Sequence, residues 1–161
     1  FEIVSPSKSL NGNNVVVLRG RNGIARDYPR RVEITGLNLT ASRLHFLGAV
    51  GGWAWPSGGD GTKGLPVATV TVTYEDRSTD SWSLVNGVEV ADYAGTADVP
   101  NSKSARELLQ HGQLRFFAKT LTRNQPITRI TLESMNNQVA PTFVAITAET
   151  GTELKADNLS K

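Results

Sequence analysis

Trp53 and Trp55 stand two residues apart in Gly51-Gly-Trp-Ala-Trp-Pro-Ser-Gly-Gly-Asp-Gly61 and carry the strongest chemical signal in the chain. In an extended segment, side chains at i and i+2 project the same way, so the two indoles could form one aromatic platform. Pyranose rings present a face of polarised C–H groups that packs on an indole, and their hydroxyls need planar polar partners or an ammonium. Asp60 and Lys63 follow in the same loop and meet that need. Three arrangements are open: both indoles buried as anchors of a long loop, one in and one out, or a fully exposed platform. If the Gly51–Pro56 pattern belongs to the fold itself, Trp53 is expected as the anchor and Trp55 as the contact. A second candidate segment is Asp92-Tyr93-Ala-Gly-Thr96, with Asp98 close behind. There the carboxylates either cap backbone amides or, if the segment lines a groove, accept from sugar hydroxyls.

Catalytic chemistry finds little support. Hydrolysis needs paired acids, a nucleophile with a base, or a metal cluster. The two histidines, His45 and His111, have no partner at metal-ligand spacing. His45 alternates with Leu44 and Phe46, which fits a solvent-facing or satisfied polar position. His111 precedes Gly112 where a cation suits the end of a helical turn. Asp76 and Asp80 flank a polar turn, a common place for Asp because its side chain bonds nearby amides. The glycine clusters lack both the Gly-Lys-Ser/Thr ending and the following helix of a phosphate loop. The expectation is a chain that is not an enzyme and needs no cofactor.

The elements that must hold these residues are strands. Ala68, Val70, Val72 and Tyr74 share one face of a period-two segment while three threonines share the other, the pattern of a half-buried antiparallel strand. A polar turn at 75–78 leads to Thr79–Leu84, whose Trp82 and Leu84 again fall on one face, so the two runs predict a hairpin. Further strands are expected at 15–19, 31–35, 42–47, 114–119, 127–133 and 142–147. A single helical turn is expected over 102–111, where Ser104 and Glu107 have capping-box spacing ahead of Leu108 and Leu109. Eight strands, one short helix and no strand-helix alternation predict an all-β, antiparallel two-sheet jelly-roll sandwich.

Composition agrees with one globular domain over 1–150 followed by a polar tail over 151–161. The 161 residues are 39% hydrophobic and 20% charged, enough for a single core. No apolar run approaches the roughly 20 residues of a membrane helix, so membrane insertion is not expected. Seventeen basic and fifteen acidic residues give a net charge of +2. The densest basic stretch, Arg19 to Arg31, is broken by Gly20, Gly23, Asp27 and Pro29 and reads as a solvated loop, not as a nucleic-acid surface. The absence of cysteine removes disulfides and thiolate chemistry and leaves the compartment open. A start at Phe1 without a signal segment suggests a piece of a longer protein.

Several stretches together carry a resemblance: Arg43-Leu-His-Phe-Leu-Gly48, Gly51-Gly-Trp-Ala-Trp-Pro56, Val70-Thr-Val-Thr-Tyr-Glu-Asp-Arg-Ser78, Asn86-Gly-Val-Glu-Val-Ala-Asp-Tyr93, Ile130-Thr-Leu-Glu-Ser134, and Ala140-Pro-Thr-Phe-Val-Ala-Ile-Thr-Ala-Glu149. Over residues 1 to 150 the chain resembles the galactose-binding-like β-sandwich modules of large secreted or periplasmic bacterial proteins. That resemblance implies an eight-stranded jelly roll without catalytic activity, a carbohydrate-binding or lectin-like role, and often a structural calcium ion. Asn11, Asn13 and Asp27 supply oxygen ligands in the corresponding region. Related segments read Asp-Trp-Trp where this chain has Asp92-Tyr93-Ala94, which removes aromatic surface there. The expected function is a non-catalytic module tethering a larger extracellular or periplasmic protein to glycan, with Trp53, Trp55, Asp60, Lys63, Asp92 and Tyr93 as binding residues. The alternative is a structural module whose exposed aromatics dock on a neighbouring domain of the same chain.

Overall fold

A computed structural model describes residues 14–105 and 108–151. The chain is all-β, with nine strands in two antiparallel sheets among these residues: β1 Val16–Val17, β2 Arg31–Leu39, β3 Arg43–Gly51, β4 Pro66–Tyr74, β5 Thr79–Val85, β6 Lys103–Ser104, β7 Arg115–Thr120, β8 Ile127–Ser134 and β9 Ala140–Glu149. One sheet runs β1-β9-β3-β7-β6 and the other β2-β8-β4-β5. Leaving aside the two-residue β6, the first, eighth, third and sixth strands make one sheet and the second, seventh, fourth and fifth the other. This is the jelly-roll connection, in which the strands nearest the chain ends pair with one another across the whole sequence.

Alternation decides which side chains enter the sandwich. Phe46 of β3, Phe117 of β7 and Phe143 of β9 meet at its centre; the first two rings stack at 5.1 Å and Phe143 lies edge-on to Phe46 at 6.5 Å. Val70, Val72 and Tyr74 of β4 face them from the other sheet with Ile130 and Leu132 of β8. On the outer side of that sheet, Thr69, Thr71 and Thr73 stand opposite Ser83, Ser81 and Thr79. The 68–74 and 79–84 runs thus form the hairpin that their alternation predicts.

Two local departures shape the five-stranded sheet. The β3–β9 register shifts between Leu47 and Gly48, so that Leu47 pairs with Ala145 and Gly48 with Phe143. The bulge puts Val144 and Ala145 together on the outer face, where with Leu47, Ala49 and Phe116 they form a second apolar cluster under Leu109 and Leu114. The segment expected as a helix over 102–111 is the other departure. Lys103 and Ser104 are extended and pair with Phe116 and Arg115 of β7, while Arg106 and Glu107 lie outside the described residues. The described residues contain no α-helix; 3-10 turns lie at Gly23–Asp27 and Asp60–Thr62, and within the expected segment Leu108 is 3-10, its amide donating to the Ala105 carbonyl at 3.2 Å. Buried Arg115 is the physical reason: its guanidinium takes the Ser102 hydroxyl at 2.9 Å and the Ser102 carbonyl at 2.7 Å, which holds the start of the segment against β7. The tail expected over 151–161 lies outside the described residues beyond Gly151.

Asp80 links the hairpin to the end of β7. Its Oδ2 accepts from the Tyr74 hydroxyl at 2.7 Å and the Thr122 amide at 2.8 Å, and its Oδ1 from the Thr122 hydroxyl at 2.6 Å. Partial burial pushes the Asp80 carboxyl up, but these bonds and the Arg123 charge outweigh it and hold its pKa below the ordinary carboxylate value. A depressed folded pKa means stability that is present above the unfolded value of 3.8 and is lost as pH falls through the folded one. Denaturant titrations of the wild type should therefore lose stability progressively below pH 4. Asp80→Asn should be weaker at pH 7 and show a shallower acid limb; parallel acid limbs would refute the assignment.

Candidate binding groove

A groove of about 470 Å³ opens beside the second apolar cluster, on the outer side of the five-stranded sheet. Its floor is the strand end, with Val17 of β1, Gly51 of β3, and Ala140 and Thr142 of β9. One wall is the 3-10 turn carrying Ile24, continued by Tyr28; the other is Trp53 with Tyr93. The exposure of these side chains sets the groove apart: Ile24 is 77% exposed, Trp53 75%, Tyr93 53% and Tyr28 37%. Apolar and aromatic surface is thus gathered around one concavity, which makes the groove the candidate site.

The loop that lifts Trp53 is tightly determined. Trp53 has φ 59° and Gly52 φ 91°, so the chain turns out of the extended conformation just after β3. Gly52 is required here, since a Cβ would lie 2.7 Å from the Gln138 carbonyl oxygen at a backbone angle that side chains disfavour. Asn22 clamps the two walls by donating its side-chain amide to the Gly52 carbonyl at 2.9 Å. The positive φ at Trp53 also ends the i, i+2 relationship with Trp55, so the two indoles do not form one platform.

The structure reverses the expected roles of the two tryptophans. Trp53 is the exposed side chain, and Trp55 is half-buried, with the Lys63 ammonium 4.7 Å from its ring centroid and Gly87 close beneath it. The Trp55 amide donates to the Thr62 hydroxyl at 2.7 Å, and the same hydroxyl accepts from buried Asn86 at 3.0 Å. Trp55 thus anchors the 53–65 loop on the strand ends. Asp60 and Lys63 go with Trp55: the Asp60 carbonyl accepts from the Lys63 amide at 3.0 Å in the second 3-10 turn. Of the six expected binding residues, Trp53, Asp92 and Tyr93 line the groove, while Trp55, Asp60 and Lys63 do not.

Asp92 is 2% exposed, and both of its carboxylate oxygens are engaged. Oδ2 accepts the Ala54 amide at 2.8 Å, and Oδ1 accepts the Ala94 amide at 2.9 Å and the Ser57 hydroxyl at 3.3 Å. The capping alternative accounts for this geometry. It sews the Trp53 loop to the Tyr93 segment, which itself pairs with the end of β3 through the Tyr93 amide and the Val50 carbonyl at 2.9 Å. Behind Asp92 lies Gln113, whose side chain donates to the Asp92 carbonyl at 3.1 Å and accepts from Arg115 at 3.2 Å. Gln113 and Arg115 were not candidates from composition or spacing. Their signal is phase, because both fall on the inward face shared with Phe117.

The other titratable candidates are accounted for locally. His45 Nε2 lies 2.8 Å from Glu149 Oε2, and its ring stacks on Phe116 at 5.7 Å. Asp27 closes the first 3-10 turn, and Asn11 and Asn13 lie outside the described residues. No group of three or more His, Cys, Asp or Glu that could hold a metal ion occurs among the described residues. No helix among them is long and apolar enough to cross a membrane. Compared with known proteins, the chain matches no family model, and no curated protein or solved structure matches it.

Proposed function

We propose that this domain is a non-catalytic carbohydrate-binding module and that the groove between Trp53, Tyr93 and Tyr28 is its binding site. One observation carries the reading: three aromatic side chains, the largest of them three-quarters exposed, surround a single preformed concavity. An indole held out by a rigid loop offers a flat apolar face for a pyranose ring. The Tyr28, Tyr93 and Thr142 hydroxyls supply hydrogen-bonding groups of both polarities at its edges. Because Gly52, Asn22 and Asp92 already fix the loop, little ordering entropy is lost on binding. In this reading the module holds a larger secreted or periplasmic bacterial protein on glycan, and modest affinity per site gains from several modules on one parent or several repeats on one polymer.

Affinity electrophoresis and calorimetry over a polysaccharide panel test the proposal. Trp53→Ala should weaken binding roughly tenfold to a hundredfold, the range of an aromatic hot spot, while leaving unfolding within about 0.5 kcal/mol of wild type. Trp55→Ala should do the reverse, lowering stability and affecting binding only through the loop. Binding that survives Trp53→Ala unchanged would place the site elsewhere. Ile24 favours a second reading, because an aliphatic side chain 77% exposed on the rim suits a protein surface better than a sugar. If the groove instead receives a neighbouring domain of the parent chain, Ile24→Ser should abolish a complex with that domain, and no polysaccharide should retard the module.

A further inference from the structure

We infer that the glycan taken by this groove is acidic, a uronate-bearing polysaccharide whose carboxylates are met by Arg21 and Arg26; the inference rests on the carbohydrate-binding reading above. The turn that walls the groove through Asn22, Gly23, Ile24 and Ala25 is bracketed by these two arginines. Both are exposed. The Arg21 side chain has no hydrogen-bond or ion-pair partner among the described residues. Arg26 uses only its Nε, which donates to the Gly23 carbonyl at 3.1 Å and thereby fixes the direction of the guanidinium. Arg19 adds a third exposed guanidinium two residues before Arg21, and Asp27 is the only acid between 19 and 28.

The contrast with the rest of the surface makes the cluster informative. Arg30 is paired with Glu133 of β8 at 3.4 Å, and Arg31 bonds Glu33 two residues along its own strand, so the arginines that follow are neutralised by carboxylate partners. The arginines beside the groove are not. Inside the groove the only charged side chain is Asp92, whose two oxygens are both spent on Ala54, Ala94 and Ser57. A negative ligand therefore meets no opposing free charge in the groove, and the turn that forms one of its walls carries an unneutralised guanidinium at each end. A guanidinium fork matches a planar carboxylate edge to edge, and a uronate carries that group at the edge of the ring whose face would lie on Trp53. One ring can then satisfy the aromatic wall and the basic rim together.

Binding of the intact domain to polygalacturonate and to alginate, each compared with its neutral ester, tests the inference. Esterification removes the charge and keeps the polymer. The free acids should bind at least tenfold more tightly than the esters, and that preference should shrink steeply with added salt. The double substitution Arg21→Gln and Arg26→Gln should remove about tenfold from binding to the acids and leave any ester binding unchanged. Trp53→Ala should weaken binding to acid and ester alike. Equal, Trp53-dependent binding to acid and ester, or binding confined to neutral polysaccharides, would overturn the acidic preference and leave the carbohydrate reading in place. Binding to no polysaccharide would overturn both. Dextran sulfate and duplex DNA separate uronate recognition from general polyanion attraction: if either binds as tightly as the uronates and ignores Trp53→Ala, the inference fails.

Discussion

Asp92→Ala is expected to cost about 4 kcal/mol of folding stability and to abolish binding at the groove with it. The substitution removes the acceptor of two backbone amides and one hydroxyl, in a place where water has little access. Each buried donor left unpaired costs roughly 1–3 kcal/mol, and bonds to a carboxylate lie toward the upper part of that range. For a domain of this size the thermal midpoint should fall by roughly 10 °C. Asp92→Asn keeps the shape and one acceptor oxygen but turns an amino group toward a former donor, so about half the loss is expected. The binding effect has a separate cause. Asp92 ties Ala54, next to Trp53, to Ala94, next to Tyr93, and so holds together the two segments that make one wall of the groove. Denaturant unfolding of both variants, with calorimetric binding measured well below their midpoints, checks the coupling. Asp92→Ala protein that is as stable as wild type, or that binds normally when fully folded, would show that the walls do not depend on this carboxylate.

A loss of similar size is expected for Arg115→Ala. The guanidinium is buried and donates to the carbonyls of Ala97 at 3.3 Å, Val99 at 3.4 Å and Ser102 at 2.7 Å, as well as to Gln113 and the Ser102 hydroxyl. No other side chain spans such a set, because five donors in a rigid plane reach acceptors that a single ammonium cannot. Truncation leaves several buried acceptors unpaired and should cost about 4 kcal/mol. Arg115→Lys should recover less than half of it. The damage should start locally, with segment 97–114 becoming the first site of limited proteolysis and Leu109 and Leu114 leaving the outer face of the sheet. Since Gln113 holds the Asp92 carbonyl and its own amide bonds the Tyr93 carbonyl at 2.9 Å, binding should weaken too. A variant that resists protease as well as wild type does would remove Arg115 from this role.

These two residues show where the chain's legibility ends. Asp92 was readable as an amide cap or a ligand contact, because Asp in an irregular segment does both. Its choice depends on Ala54, 38 residues away, which only the folded chain brings to it. Arg115 stood in a segment recognised as a strand, yet its role depends on carbonyls of 97–102. The same guanidinium holds 102–104 against β7, so the helical turn expected from Ser102 does not begin there, while Leu108 further along is 3-10. At 102–104 local preference yields to a tertiary partner.

By itself the sequence determined the fold class and most of the strands. Burial on one face imposes period two along each strand, and that pattern is written in consecutive residues such as Ala68 to Tyr74. It also singled out the aromatic loop after β3. Tertiary structure alone decided which tryptophan serves the surface. A left-handed backbone angle at Trp53, allowed by Gly52 and clamped by Asn22 and Asp92, turns that indole outward, while Lys63 and Gly87 enclose Trp55. Tertiary structure also brought Tyr93, Tyr28 and Ile24 of the first turn to the same groove as Trp53. The jelly-roll connection places distant segments side by side at one end of a sheet, and no spacing along the chain records that neighbourhood.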